Sequence, residues 1–269
     1  MGKFRAVVLA LLVASCAPRD AVLDTARQSG LTPRMIETPG FRLAAWERLP
    51  LDPGGRLTVY IEGDGMAWLS RSQPSSDPTP RDPVALALAS ADRSTAVLYL
   101  ARPCQFAGRA DPKCDTRYWT HARFAPEVVE STAWAVAWAL RTTQARSLHL
   151  VGYSGGGTLA ALLAARHLAE RTELTTIAAP LDLEAWTRLL GVSPLSGSLS
   201  PRDVATQLRT VPQRHLVGGR DETVPARLTQ DWLNLVRPSC GQVRVMPDFD
   251  HACCWARLAA AELPPLACP

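Results

Sequence analysis

Gly152, Ser154 and Gly156, in the stretch LHLVGYSGGGTLAALLAA from Leu148 to Ala165, set a serine between glycines where a short apolar run meets an Ala/Leu-rich segment. A serine hydroxyl alone is a weak nucleophile. On a tight turn from strand to helix, however, it stands clear of the sheet edge, and N–H groups at the helix start can stabilise an oxyanion. The neighbours must be small, because strand and helix approach closely there. The same stretch fits a second chemistry. Gly155, Gly157 and Ala160 match G-x-G-x-x-A, a dinucleotide fingerprint, and Asp182 follows the next strand-like run, where an acid would hold a ribose. A phosphate-binding loop of the G-x-x-x-x-G-K-[ST] kind is excluded, since no lysine precedes Thr158.

An acyl-transfer serine needs a histidine as base and a carboxylate to orient it. Of the five histidines, His121 and His149 precede the serine, His167 lies on the segment after it, and His215 begins a strand-like run. His251 sits in a loop beyond the last such run, in MPDFDHACCW. For the acid, HLVGGRDETVP places Asp221 in a glycine-rich turn just after a strand-like run, with Asp182, Asp248 and Asp250 as alternatives. YIEGDGMAW supplies a second turn, Gly63-Asp64-Gly65, able to offer another N–H to an oxyanion. The dinucleotide reading leaves Asp221 and His251 without a role.

These groups must be held by a scaffold. The β-leaning runs LTVYIEG, TAVLYLA, SLHLVG, LTTIAA, HLVGG and VRVMP alternate with helical segments at Pro83–Ala91, Pro126–Thr142, Gly157–Glu170, Ala226–Val236 and Ala252–Leu263. Such alternation predicts an α/β fold: a mostly parallel central sheet with helices on both faces. Residues 181–213 break the rhythm as an insertion expected to form a cap. Trp134 and Trp138, four apart on a helical segment, read as core.

The chain has 269 residues, is 47% apolar and carries a formal net charge of +4 from interspersed signs, with no basic run that would suit a nucleic acid. Lys3 and Arg5 precede an apolar run too short to span a bilayer, ending in LVASC. That layout predicts a secretory signal peptide, and LVASC resembles the bacterial lipobox, which implies a lipoprotein signal peptide over residues 1–15 with Cys16 lipidated as the mature N-terminus. Ala17 after that cysteine favours an outer-membrane address facing the periplasm. Residues 16–40 read as a tether and 41–269 as the folded domain. An exported chain favours disulfides. Cys104 and Cys114 bracket one short loop and are expected to pair; Cys253 and Cys254 would strain a ring if joined, so each is expected to take one of Cys240 and Cys268. A zinc site at His251, Cys253 and Cys254 is the alternative, disfavoured because no second histidine or C-x-x-C pair stands at ligand spacing. No metal and no cofactor is expected.

Taken together, YIEGDGMAWLSR, DPTPRDPVALALA, YLARPCQF, VGYSGGG, VSPLSGSLSP and GGRDETVP resemble a group of exported bacterial lipoprotein α/β hydrolases, within the α/β-hydrolase superfamily. The resemblance runs from about Phe41 to Leu263. It implies the α/β-hydrolase fold, the order nucleophile, acid, histidine along the chain, and a serine hydrolase acting on an ester, with no substrate specified. Ser154 would be the nucleophile, Asp221 the orienting acid and His251 the base, with backbone N–H groups of Gly155 and Asp64 at the oxyanion. Glu62-Gly63 stands where many lipases have His-Gly, which places a carboxylate near the site. Gly65 is a further candidate for substrate binding, as are Arg102 and Gln105 in the loop after a strand. A non-catalytic binding module on the same fold is the rival.

Overall fold

The computed structural model describes residues 18–106, 111–258 and 266. Eight strands form one sheet: β1 (Thr32–Glu37), β2 (Arg42–Arg48), β3 (Arg56–Ile61), β4 (Ala96–Leu100), β5 (Ser147–Tyr153), β6 (Arg171–Ile177), β7 (Gln213–Gly218) and β8 (Gly241–Met246). Their spatial order is β1-β2-β4-β3-β5-β6-β7-β8. β2 runs antiparallel to both β1 and β4, and every other pairing is parallel. Helices α1 (Pro18–Gln28), α2 (Val84–Ala91), α3 (Pro126–Thr143), α4 (Gly155–Ala164), α5 (Leu183–Leu190) and α6 (Ala226–Val236) complete the regular structure.

The central strands are apolar on both faces because helices cover both. Leu57, Val59 and Ile61 of β3, with Leu148 and Leu150 of β5, pack with residues of α3, α4 and α6. Their neighbours Tyr60 and Val151 point the other way, into a second core with Ala26 of α1, Leu86 and Leu88 of α2, and Trp255. The period-2 alternation thus feeds two cores from one sheet.

The tether expected over residues 16–40 is not what the structure contains. From Pro18 these residues form α1 and β1, and β1 pairs with β2 over its whole length, Thr32 opposite Glu47 through Glu37 opposite Arg42. The signal is weak because β1 is an edge strand: Ile36 is its one buried side chain, and Pro33 is tolerated there. α1 is polar overall, with Val22, Leu23 and Ala26 as its apolar side. The signal segment and Cys16 lie outside the described residues.

Two helical expectations also change. α4 begins at Gly155 and ends at Ala164, short of Glu170, as the chain reverses through His167 at φ 49° to enter β6. Past Ala252 there is a 3₁₀ turn at Trp255–Arg257, and residues 259–263 lie outside the described residues. The insertion at 181–213 contains α5 and two 3₁₀ turns, Pro201–Val204 and Gln207–Thr210. Trp138 is half-buried against the core, whereas Trp134 is exposed on α3 rather than part of it.

Candidate active site

Ser154 is the single residue between the end of β5 and the start of α4. Its backbone lies at φ 49°, ψ −124°, a conformation that costs an L-residue about 1–3 kcal/mol and persists only when the surroundings impose it. The imposing contacts are backbone to backbone. A Cβ on Gly152 would lie 2.3 Å from the Gly156 carbonyl oxygen, and one on Gly156 would lie 2.2 Å from that of Ile61. The two flanking glycines of G-x-S-x-G are therefore required by close packing of β5, α4 and β3.

Ser154 Oγ lies 3.0 Å from His251 Nε2, and His251 Nδ1 lies 2.9 Å from Asp221 Oδ2. The tautomer this demands has Nδ1–H donating to Asp221 and Nε2 accepting the serine proton. Asp221 follows β7 with its side chain wholly buried. Its other oxygen accepts the N–H groups of Thr223 (2.9 Å) and Val224 (2.7 Å), which fixes the carboxylate and leaves Oδ2 for the ring.

The histidine loop is tied by side chains. Tyr153 Oη donates to the His251 carbonyl at 2.8 Å, and Trp255 Nε1 donates to the carbonyls of Asp250 (2.9 Å) and His251 (3.1 Å). Asp250 Oδ1 accepts the N–H groups of Ala252 and Cys253, which lowers its carboxyl pKa. Cys253 and Cys254 are joined to each other, contrary to expectation; the peptide between them is cis, bringing their Cα atoms to 3.1 Å. That bond removes both sulfurs from the zinc alternative. Cys240 is also half of a disulfide, and Cys268 lies outside the described residues. Cys104 and Cys114 pair as expected, with Cα atoms 5.6 Å apart.

The turn Gly63-Asp64-Gly65, expected to offer an N–H to an oxyanion, follows β3. The Asp64 N–H, in the cleft lining, and the Gly155 N–H, next along the chain from Ser154, donate to no acceptor among the described residues. Gly65 adopts φ 62°, and a side chain there would also lie 2.1 Å from the Pro78 carbonyl. Glu62 contributes to the cleft lining but is almost inaccessible. It is 1% exposed, accepts from the N–H groups of Gly63 (2.9 Å) and Ala85 (3.2 Å) and from Tyr99 Oη (3.2 Å), and burial pushes its carboxyl up to about 7.

Arg102 and Gln105, expected to touch substrate, are instead buried behind this turn. Gln105 Nε2 donates to the Gly63 carbonyl (2.9 Å) while its Oε1 accepts the Arg102 N–H (3.0 Å). Arg102 donates to Asp64 Oδ1 at 2.9 Å. Both are out of reach because β4 delivers them beneath the loop.

A cleft of about 1310 Å³ opens over Ser154 and His251. Met66, Trp68 and Leu69 line one side, and Trp186, Leu190 and Val192 of the 181–213 insertion line the other. Arg123 lies in its wall. Sequence reasoning missed Arg123, Tyr153 and Trp255. Arg123 stands in an irregular segment with no motif around it, Trp255 opens the 3₁₀ turn after MPDFDHACC, and Tyr153 occupies the variable position before Ser154 in G-x-S-x-G, where the pattern gives its type no meaning.

The residues of the dinucleotide reading have other work. Asp182 caps α5 through the Ala185 N–H (3.1 Å) and pairs with Arg202 (2.6 Å). A Cβ at Gly155 would lie 2.1 Å from Asp64 Oδ1, so a pyrophosphate there would meet a carboxylate. Asp248 pairs with Arg220 on the surface. His149 and His215 are buried against Thr175 and Thr176, and burial pushes both rings down to about 3, so they are neutral core groups.

No family model matches the chain, and no curated protein matches it either. Many solved structures do. An alpha-beta serine hydrolase homologue from Coxiella burnetii is similar at 15% identity, covering 82% of this chain and 88% of that one, with a TM-score of 0.54. Est1E from Butyrivibrio proteoclasticus, solved with ferulic acid bound, is similar at 14% identity over 85% and 96% with a TM-score of 0.59. A Pyrococcus furiosus esterase is similar at 13% identity over 84% and 85% with a TM-score of 0.54. The chain has the α/β-hydrolase fold.

Proposed function

We propose that this α/β-hydrolase-fold chain is a serine hydrolase that cleaves a carboxylic ester through an acyl-serine intermediate, with amides as poorer substrates. The observation that carries the reading is the relay Ser154–His251–Asp221, at 3.0 and 2.9 Å, on a serine held in a strained elbow.

In the first half-reaction, Ser154 Oγ attacks the ester carbonyl carbon as His251 Nε2 takes its proton. Asp221 stabilises the imidazolium through Nδ1–H. The tetrahedral oxyanion accepts from the Asp64 and Gly155 N–H groups, for which no acceptor among the described residues competes. The C–O bond to the alcohol breaks, and the alcohol leaves with the proton from His251. Water then attacks the acyl-serine with His251 again as base, releasing the acid and restoring the serine. The apolar flanks of the cleft suit an acyl or alkyl chain. The signal-like N-terminus and Cys16 support an exported protein anchored by lipid to the outer membrane and facing the periplasm.

The test uses protein lacking the first sixteen residues, treated with a fluorophosphonate and analysed by peptide mass. Modification is expected at Ser154 and should be lost in Ser154→Ala and His251→Ala, with ester hydrolysis falling by about 10⁶-fold in Ser154→Ala. A folded, oxidised protein that is neither labelled nor active on any ester would sink the reading and favour the binding module.

A further inference from the structure

Beneath the oxyanion turn two guanidiniums share one carboxylate. Arg102 Nη1 lies 2.9 Å from Asp64 Oδ1 and Arg123 Nη1 lies 2.5 Å from Asp64 Oδ2. Both arginine side chains are more than nine-tenths buried. They are also tied to each other and to the backbone: Arg102 Nη2 donates to the Arg123 carbonyl, and Arg123 Nε donates to the Thr120 carbonyl at 2.7 Å. The Arg102 guanidinium stacks 4.9 Å from the centre of the Phe124 ring, and its Nε is buried with no partner among the described residues.

Burying this much charge is costly, and a buried ion cluster is weak evidence for a gain in stability. Its location points to another role. The carboxylate belongs to the residue whose N–H faces the oxyanion, and Oδ1 rests against the Cα of Gly155, which supplies the other N–H. A lone carboxylate in that place would repel the developing oxyanion. With two guanidiniums against one carboxylate the group carries a net charge of +1, which attracts it instead. Burial alone would raise the Asp64 carboxyl, yet Arg123 and Arg102 hold it below the usual carboxylate range, so it is ionised and the pairing persists across neutral pH.

The cluster also fixes geometry. Gly63 N–H donates to Glu62, the Gly63 carbonyl accepts from Gln105, and Met66 N–H donates to the Pro78 carbonyl at 3.0 Å. With the Asp64 side chain clamped from two sides, the turn is pinned on either side of Asp64 while the Asp64 N–H remains free toward the cleft.

We propose that Arg102 and Arg123 are positioning residues that clamp the Asp64 side chain, hold its N–H in the oxyanion pocket and make the pocket's electrostatics favourable. The inference rests on the hydrolase reading above. It assigns Arg123, though in the cleft wall, to the transition state rather than to holding the ester in the ground state.

The experiment compares wild type, Arg123→Gln and Arg123→Lys, each checked for folding by circular dichroism, in p-nitrophenyl acetate hydrolysis and in inhibition by an alkylboronic acid, which forms an anionic tetrahedral adduct on serine. Arg123→Gln is expected to lower kcat about 100-fold, the scale of one lost oxyanion donor. KM should stay within about threefold, since a transition-state interaction is lost and not a ground-state one. Boronic acid affinity should fall in parallel with kcat/KM, and the pH profile of hydrolysis should keep its shape. Arg123→Lys retains the charge without the guanidinium fork and should recover about tenfold of the loss. Should Arg123→Gln fail to fold, Arg123→Lys gives the same readouts. A folded variant with wild-type kcat and boronic acid affinity overturns the inference, as does a rise in KM alone. Active wild type with unaffected variants overturns this inference only, whereas wild type that is neither labelled nor active overturns the hydrolase reading with it.

Discussion

Ser154 and His251 meet at 3.0 Å, yet the chain holds them by opposite means. The serine is set by backbone against backbone: glycines at 152 and 156 let β5, α4 and β3 close around it. The histidine, 97 residues later, sits in a loop whose position depends on Tyr153, Asp221, Asp250 and Trp255 reaching in with side-chain hydrogen bonds. A backbone vice tolerates no added atom, while a set of side-chain ties can be cut one at a time. The elbow should therefore fail as a unit and the histidine loop by degrees.

The sharpest break is Gly156→Ala. The new methyl would lie 2.2 Å from the Ile61 carbonyl oxygen and 2.4 Å from that of Glu62, and neither backbone group can yield without moving β3. A loss of about 3 kcal/mol or more is expected, at or above the upper end for overpacking, read as a lowered urea midpoint with activity lost alongside. Wild-type stability in this variant would show that the elbow is looser than its packing implies.

The same β3 end carries Glu62, and here pH is the probe. Its carboxyl titrates near 7 in the fold against 4.5 for the ordinary value, because burial disfavours the charged form. A raised pKa in the fold means that the contribution to stability is complete below about pH 4.5 and is lost as pH rises through 7. The loss is on the order of 3 kcal/mol. Urea midpoints between pH 4 and 8 should reveal this slope, and Glu62→Gln should flatten it. An unchanged slope in Glu62→Gln would place the titration elsewhere.

The mildest cut is Tyr153→Phe, which removes the single donor to the His251 carbonyl from β5 while Trp255 keeps its own. About 1 kcal/mol is expected, the net worth of one hydrogen bond, appearing as a several-fold fall in kcat with the elbow and global stability little changed. A loss as large as that of His251→Ala would mean the loop is held by one tie rather than several.

Much of this was legible beforehand, for identifiable reasons. β3 to β5 announce themselves because runs such as AVLYL in β4 are buried and largely apolar, whereas the exposed edge strand β8 was legible only through the valines of VRVMP. α6 was read to its last residue because Trp232 and Val236 recur at helical spacing. β1 and α1 were hidden because an edge strand and a surface helix bury few side chains and leave little periodicity. The elbow was readable from three residues. Arg102 and Gln105 were misplaced because chain proximity to a strand end does not say whether a side chain points over the sheet or beneath the loop.

What the sequence determined by itself is what local rules enforce: the alternation that makes an α/β sheet, the small residues that let a serine sit in a strained turn, and the order of serine, aspartate and histidine. What only the tertiary structure decided is which long side chains converge from distant segments. Arg123 reaches Asp64 across 59 residues and Tyr153 reaches His251 across 98. Periodicity constrains neighbours within a helix turn or strand, whereas an arginine or tyrosine finds its partner through the packing of whole elements, and no local pattern in the chain encodes that meeting.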